Sequence, residues 1–206
     1  GARPVLAEVA ATIADVQVRN RGTIGGNVCV NDPTNHFPPL LVALDASFTI
    51  RGTAGERVVS AEDFFVGVYE TAVHEGELLT TISVPTRRPG TGDAMTGLTL
   101  GAHGTYVVSA AASVGPDGTR VAIGCVSSVP VRATAMEERL AGGDYSESAV
   151  RTAAEGLGAN LDPPGDVRGH AAIIRRPAPD SSGAILGRMQ NEKGKIKVLL
   201  QEENYL

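Results

Sequence analysis

The composition is that of an ordinary globular protein with a slight acidic excess. The chain has 206 residues, a formal net charge of −5, and hydrophobic and charged fractions of 42% and 20%, enough to build a sizeable core. It lacks the basic clusters of nucleic-acid-binding proteins, a bilayer-spanning apolar run and the N-terminal pattern of a signal peptide. Its two cysteines, Cys29 and Cys125, have no metal-binding spacing and fit a reducing cytoplasm.

Apolar residues recur at helical spacing over residues 5–16, which predicts a helix that ends before a glycine-rich stretch. That stretch includes Thr23, Gly25, Gly26 and Asn27. Adjacent glycines accept positive φ angles and close approach, so we expect a tight loop whose backbone N–H groups converge on one point and suit a phosphate. The Thr23 hydroxyl and the Asn27 amide would add hydrogen bonds at the rim. An ordinary glycine turn is the alternative that these residues leave open.

The next segment predicts a turn and then a helix. Cys29 lies in a short apolar run and is expected to be buried. Asp32 and Pro33 match the chemistry of a type I turn. A helix is expected over residues 38–44, because proline is well suited to the first helical position.

Strand patterns dominate the following residues. Residues 47–50 and 57–60 predict a hairpin around Gly52 and Gly55. Ser60 begins a capping box and a short helix. Residues 77–85 predict a strand that ends at a proline.

The second half of the chain predicts a linker and then a compact lobe. Residues 87–97 are polar and rich in Gly, Pro and Thr, as linkers are. Residues 105–114 and 119–126 predict two strands joined by a hairpin turn. One helix is expected near Thr134, with Glu137 completing a capping box, and another over residues 146–157. Strands followed by helices indicate an α+β lobe.

Several motifs together resemble a known family. Residues 18–46 read VRNRGTIGGNVCVNDPTNHFPPLLVALDA. This segment resembles the flavin-binding subunit of the molybdenum hydroxylases, the xanthine dehydrogenase and carbon monoxide dehydrogenase family. There a T-[IV]-G-G-N motif precedes a D/S-P turn and an L-P-x-x-L-L-A-L-D-A helix. Residues 77–85 and 124–133 also resemble segments of that subunit, and the similarity runs from about residue 6 to residue 170.

The resemblance implies the site residues. It assigns the binding of the FAD pyrophosphate to a run of five residues: Thr23, Ile24, Gly25, Gly26 and Asn27. Asp32 could face the sugar hydroxyls of the flavin, besides forming its turn, and the backbone of Leu79 would lie beside the isoalloxazine ring. His36 stands where related subunits commonly have a flavin-contacting Asp. Both a flavin contact and a surface histidine at a helix start are open for it.

The resemblance also implies the architecture. The expected fold is α+β. Residues 1–86 would form a second flavin-binding subdomain, with a mixed sheet and helices, and residues 105–176 a C-terminal lobe of the carbon monoxide dehydrogenase flavoprotein type. Residues 87–104 would form a linker and the first residues of that lobe. The family's first flavin subdomain has no counterpart here, so we expect the chain to be N-terminally incomplete.

Residues 177–206 are expected to form an atypical tail that adds little to the core. Pro177 and Pro179 interrupt the helix that the family places there. The only lysines of the chain also occur in this tail, at positions 193, 195 and 197.

The implied function is that of an FAD-binding electron-transfer subunit of an oxidoreductase, passing electrons from iron–sulfur clusters to FAD. Its partners would be a molybdopterin-containing large subunit and a 2Fe–2S small subunit, in a cytoplasmic heterotrimer. The chain would contribute no catalytic residue and no metal ligand. We expect the isolated chain to be inactive and to bind FAD weakly. The alternative is a non-catalytic interaction module that retains the fold but binds no FAD, because the first flavin subdomain is missing.

Overall fold

Four short helices open the chain in the computed structural model, which describes residues 3–99, 106–160, 189–192 and 195–198. The predicted helix over residues 5–16 is interrupted, because Ala14 adopts φ +43° and Asp15 caps a new helix by accepting from the Val18 amide at 2.8 Å. The four helices are α1 (Pro4–Thr12), α2 (Val16–Arg21), α3 (Ile24–Val30) and α4 (Phe37–Ala43).

The first sheet confirms the predicted hairpin and the predicted strand that ends before Pro85. Its strands are β1 (Ser47–Gly52), β2 (Gly55–Ser60) and β5 (Leu78–Ser83), in the order β2-β1-β5. Gly55 turns the hairpin at φ +130°. The sheet is antiparallel throughout, not mixed as expected, while the predicted α+β class is confirmed.

A short helix and a small hairpin connect β2 to β5. They are α5 (Ala61–Phe64), β3 (Phe65–Gly67) and β4 (Glu70–Thr71). The Ser60 hydroxyl caps α5 by accepting from the Asp63 amide at 3.1 Å, as the sequence predicted.

The second sheet has four antiparallel strands: β6 (Gly92–Thr99), β7 (Tyr106–Gly115), β8 (Gly118–Gly124) and β9 (Val131–Arg132). Strand β6 begins inside the predicted linker, so the linker prediction is wrong from Gly92 onward. It pairs with β7, the next strand along the chain, and a polar composition rich in Gly and Thr does not indicate such pairing.

Two helices, α6 (Thr134–Arg139) and α7 (Glu147–Ala154), follow the second sheet. Ser146 caps α7, in agreement with the predicted start. The capping box at Thr134 is wrong, because Ala133 is the N-cap residue. The Glu137 carboxylate instead accepts from the Val121 amide at 2.8 Å and from the Arg132 guanidinium at 3.0 Å.

Helix α4 is the centre of the core. All seven of its residues are buried, and five of them, all but the two prolines, share one hydrophobic cluster with Phe48 and Ile50 of β1 and with Ala111 and Ala122 of the second sheet. The opposite face of β7 and β8 forms a second cluster with α6 and α7. Because strand side chains alternate between faces, both faces of the second sheet are buried.

The last described residues form a small antiparallel pair, β10 (Met189–Glu192) and β11 (Lys195–Val198). The backbone of β11 lies beside β6. The remaining residues of the predicted tail lie outside the described residues, and its expected small contribution to the core stays a prediction.

Gly124 allows α4 to approach the second sheet closely. A Cβ atom at this position would lie 2.7 Å from Cγ of Pro39 and 2.5 Å from Oγ of Ser109. We therefore expect Gly124→Ala to lower the free energy of unfolding by about 1–3 kcal/mol through overpacking. Urea denaturation measures the change. Gly142→Ala is the matched control, since its Cβ would meet no atom within 4 Å. Equal stability of the two variants would contradict this packing.

Glu77 makes stability depend on pH at the acid end. Its carboxylate accepts from Arg57 at 2.7 Å and from the His74 amide at 2.9 Å. These contacts, Arg57 first, lower the pKa of Glu77 from 4.5 to about 2. The contribution of Glu77 to the free energy of unfolding is therefore complete above about pH 4.5 and is lost as the pH falls through about 2.

Glu77→Gln should flatten this part of the pH profile, because the glutamine side chain does not titrate. Thermal melts across that acid range measure it. Glu75→Gln in the same loop is the control and should leave the wild-type slope. An unchanged slope in Glu77→Gln would rule out the proposed linkage.

Candidate functional site

The glycine-rich motif forms the first turn of helix α3. Thr23 is the N-cap residue, with extended backbone, and its hydroxyl accepts from the Gly26 amide at 2.9 Å. Neither Gly25 nor Gly26 has a positive φ angle. The predicted tight loop over residues 23–27 is therefore wrong. The Thr23 cap at one end and the fully buried Val28 on the next turn favour a helix over the expected turn.

The start of α3 nevertheless has backbone amides and open space that suit an anion. Among the described residues, no acceptor lies within hydrogen-bond range of the Ile24 and Gly25 amides. A Cβ atom at Gly25 would meet nothing within 4 Å, so a ligand can approach this backbone. The orphan amides and the helix dipole both favour negative charge here.

Asn27 completes the motif from the inner side of the helix. Its Oδ1 atom is buried and has no hydrogen-bond partner among the described residues. Its backbone carbonyl accepts from Nδ2 of Asn35 at 2.8 Å, which ties α3 to the segment ahead of α4. Buried polar atoms in native proteins usually have partners, but this oxygen is an acceptor, as phosphate oxygens are, so the Asn27 side chain could donate to a pyrophosphate only through its N–H groups.

Asp32 forms the predicted turn. Its Oδ1 accepts from the amide and the hydroxyl of Thr34 at 2.8 and 2.7 Å, and the Asn35 amide closes the turn on the Asp32 carbonyl at 2.9 Å. Its Oδ2 accepts from the Tyr69 hydroxyl at 3.1 Å. A contact from Asp32 to a sugar hydroxyl stays a prediction.

Leu79 lies on β5, which packs beside α3. The side chain is half-buried against the cluster around α4, and the position of its backbone beside the isoalloxazine ring stays a prediction. Cys29 on α3 packs against the same cluster and is half-buried, not fully buried as expected. Burial raises the pKa of the Cys29 thiol, which keeps it protonated.

His36 is buried, so the interpretation as a surface histidine is wrong. Its ring stacks on Tyr106 with centroids 4.1 Å apart, and its Nδ1 lies 3.2 Å from the Thr12 hydroxyl. Burial is the main cause that raises the pKa of the Tyr106 phenol. The stack joins the start of α4 to the second sheet, a contact that no local pattern predicts.

Sequence reasoning missed two asparagines beside the motif. Asn31 ends α3 in the left-handed region and donates to the carbonyls of Gly67 and Glu70, and Asn35 holds the Asn27 carbonyl. The preference of asparagine for a left-handed helix end is the signal that could have found Asn31.

The arrangement is suited to binding and orienting a ligand. Within the described part of the chain, no group of His, Cys, Asp or Glu side chains could hold a metal ion. No described helix is long and apolar enough to cross a membrane.

Comparison with known protein families identifies both halves of the chain. Residues 1–87 match the family described as the FAD binding domain in molybdopterin dehydrogenase. Residues 105–176 match the CO dehydrogenase flavoprotein C-terminal domain.

Individual relatives agree with these matches. The chain is 37% identical over 173 residues to the carbon monoxide dehydrogenase medium chain of Hydrogenophaga pseudoflava, covering 82% of this chain and 60% of the relative. It is 33% identical over 171 residues to the glyceraldehyde dehydrogenase medium chain of Sulfolobus acidocaldarius, with 81% and 60% covered. These relatives are subunits of oxidoreductases, and the chain spans about 60% of their length.

Solved structures confirm the fold. The carbon monoxide dehydrogenase of Hydrogenophaga pseudoflava superposes with a TM-score of 0.78 at 38% identity, over 84% of this chain and 62% of that one. Quinoline 2-oxidoreductase from Pseudomonas putida gives a TM-score of 0.76 at 32% identity, over 84% and 61%. From its two domain matches and these relatives, the chain belongs to the FAD-binding medium-subunit family of the molybdenum hydroxylases.

Proposed function

We propose that this chain is the FAD-binding electron-transfer subunit of a molybdenum hydroxylase complex. The observation that carries the proposal is the start of α3, where a Thr23 cap, two amides without acceptors and an unobstructed Gly25 backbone coincide with the T-[IV]-G-G-N motif. Residues Thr23, Ile24, Gly25, Gly26 and Asn27 would hold the pyrophosphate of FAD. Helix N-termini are well suited to such groups.

Leu79 and Asp32 would contact the ring and the sugar of FAD. Leu79 offers a half-buried apolar side chain on the strand beside α3, and we propose that its backbone lies beside the isoalloxazine ring. The carboxylate of Asp32 is an acceptor group, and we propose that it faces the sugar hydroxyls of the flavin. When bound, FAD supplies the ring system that carries electrons, and the chain supplies binding, orientation and electrostatics.

The proposed partners follow from the family. Substrate oxidation would take place on a molybdopterin-containing large subunit, and a 2Fe–2S small subunit would deliver the electrons. We expect the complex to form in the cytoplasm, where cysteine thiols stay reduced.

We propose that this chain alone binds FAD weakly. Thr23, Ile24 and Gly26 are exposed, whereas tight small-molecule sites enclose most of the ligand surface. Each hydrogen bond to the pyrophosphate contributes about 0.5–1.5 kcal/mol, or up to about 3 with a charged partner. Lost translational and rotational freedom costs at least about 4 kcal/mol. The balance favours a dissociation constant in the micromolar range or weaker.

Gly25→Val should weaken FAD binding at least about tenfold, because a branched side chain would occupy the space over the backbone that the pyrophosphate needs, a loss of about 1.4 kcal/mol or more. Its stability should be nearly unchanged, since the site has room and valine is no worse than glycine in a helix. Calorimetric titration of FAD measures the affinity. Gly26→Val would also disturb the helix cap, because its Cβ would lie 3.1 Å from the capping Thr23 oxygen.

Gly142→Val on the far lobe is the control and should bind FAD like the wild type. Equal FAD affinity of Gly25→Val and the wild type would overturn the assignment of the pyrophosphate to α3. Absence of any FAD binding by the wild type would favour the interaction module instead. A nanomolar constant would contradict the expected weak binding.

A further inference from the structure

Helix α3 is too short to be stable through its own hydrogen bonds. It has seven residues, of which only Val28 is buried, and isolated helices of this length are unstable in water. Ile24 and Val30 are 43% and 51% exposed. A helix that is to present its first turn to a ligand must therefore be held by other contacts.

Asn31 provides these contacts at the far end of the helix. It is 1% exposed, and its Nδ2 donates to the carbonyls of Gly67 and Glu70 at 2.7 and 3.1 Å. Its own carbonyl accepts from the Tyr69 amide at 3.1 Å. One residue thus joins the end of α3 to both sides of the β3–β4 hairpin, since Gly67 and Glu70 are paired across it.

The backbone at this junction is unusual on both sides. Asn31 has φ +44° and Tyr69 has φ +57°, left-handed conformations that non-glycine residues adopt at an energetic cost. The two residues are hydrogen-bonded to each other, so the strained positions coincide with the joint. Strain of this kind persists only where the surroundings hold it.

The carboxamide of Asn31 acts here as a donor. Both hydrogens of Nδ2 have carbonyl acceptors, while Oδ1 is buried without a hydrogen-bond partner among the described residues. Leaving a buried acceptor unpaired is unfavourable. The side chain therefore keeps this orientation because the two donated bonds decide it.

We propose that Asn31 is a positioning residue of the flavin site, which fixes α3 by anchoring its end in the β3–β4 hairpin. The anchoring rests on the contacts above, and the link to ligand affinity rests on the proposed function. When the anchor is lost, the first turn of α3 samples more orientations. Its amides then no longer form a preorganised set for the pyrophosphate.

The test replaces Asn31 with Gly, which keeps the left-handed backbone without strain and removes only the carboxamide. Amide hydrogen exchange of the wild-type chain and the variant should show faster exchange in residues 24–31 and 66–71, by about tenfold or more for two lost hydrogen bonds. FAD affinity, measured by calorimetry, should fall by about fivefold or more through lost preorganisation. Exchange in α6 and α7 should not change.

Ala14→Gly is the matched control, because Ala14 has nearly the same φ angle, +43°, and no side chain able to donate. It should leave both measurements at wild-type values. Asn31→Asp is a second variant that keeps the size and the left-handed preference and loses both donors. It should reproduce the faster exchange if Asn31→Gly does not fold.

Unchanged exchange in α3 would overturn the anchoring role, whether or not FAD binds. Faster exchange with unchanged FAD affinity would overturn the positioning role. A wild-type chain that binds no FAD would overturn the proposed function and with it the ligand part, while hydrogen exchange would still decide the anchoring.

Discussion

The packing of α4 against small residues of the second sheet is the contact on which the rest of the structure depends. The side chains on this face of the strands are small or absent, at Ala111, Ala122 and Gly124. The helix therefore lies directly on the strands, with Pro39 at the contact. The other surfaces of α4 share a cluster with the first sheet. Both sheets are therefore joined through one wholly buried helix, and the dense packing of such interiors leaves little freedom between them.

Polar contacts reinforce this joint at its edges. Arg3 pairs with the buried Asp93 at 2.6 Å and donates to the Pro85 carbonyl at 2.7 Å. Arg132 joins Glu137 of α6 to Glu62 of α5, and these carboxylates, Glu137 first, raise the pKa of its guanidinium. The Arg3–Asp93 pair is buried, and breaking such a pair is costly, so it favours one relative arrangement of the two sheets. The Glu62 side chain is 48% exposed, and exposed pairs of this kind contribute little.

The candidate site lies at the margin of this rigid body, on an element that the core holds only in part. Val28 enters the core cluster and Cys29 packs against it, whereas other parts of α3 are held by Asn31, Asn35 and the Thr23 cap. Such an element suits a ligand whose phosphates need open backbone amides. On the proposed function, in which the chemistry resides in the cofactor, the protein would keep those amides in place.

The sequence alone determined the features that depend on neighbouring residues. Turn chemistry at Gly55 and Gly118, the Ser60 and Ser146 caps and the proline start of α4 act within a few residues, so they could be predicted. The T-[IV]-G-G-N motif likewise identified the family. Only the tertiary structure decided the conformation of that motif, because the burial of Val28 in the core favours a helix, and the local Thr23 cap alone is also compatible with a turn.

The same limit applies to the other corrections. Strand β6 exists through its pairing with β7, and Glu137 leaves its expected cap for Val121 and Arg132. His36 is buried because Tyr106 lies against it. Each depends on a contact outside its own segment, which forms only in the folded protein and cannot be deduced from local spacing.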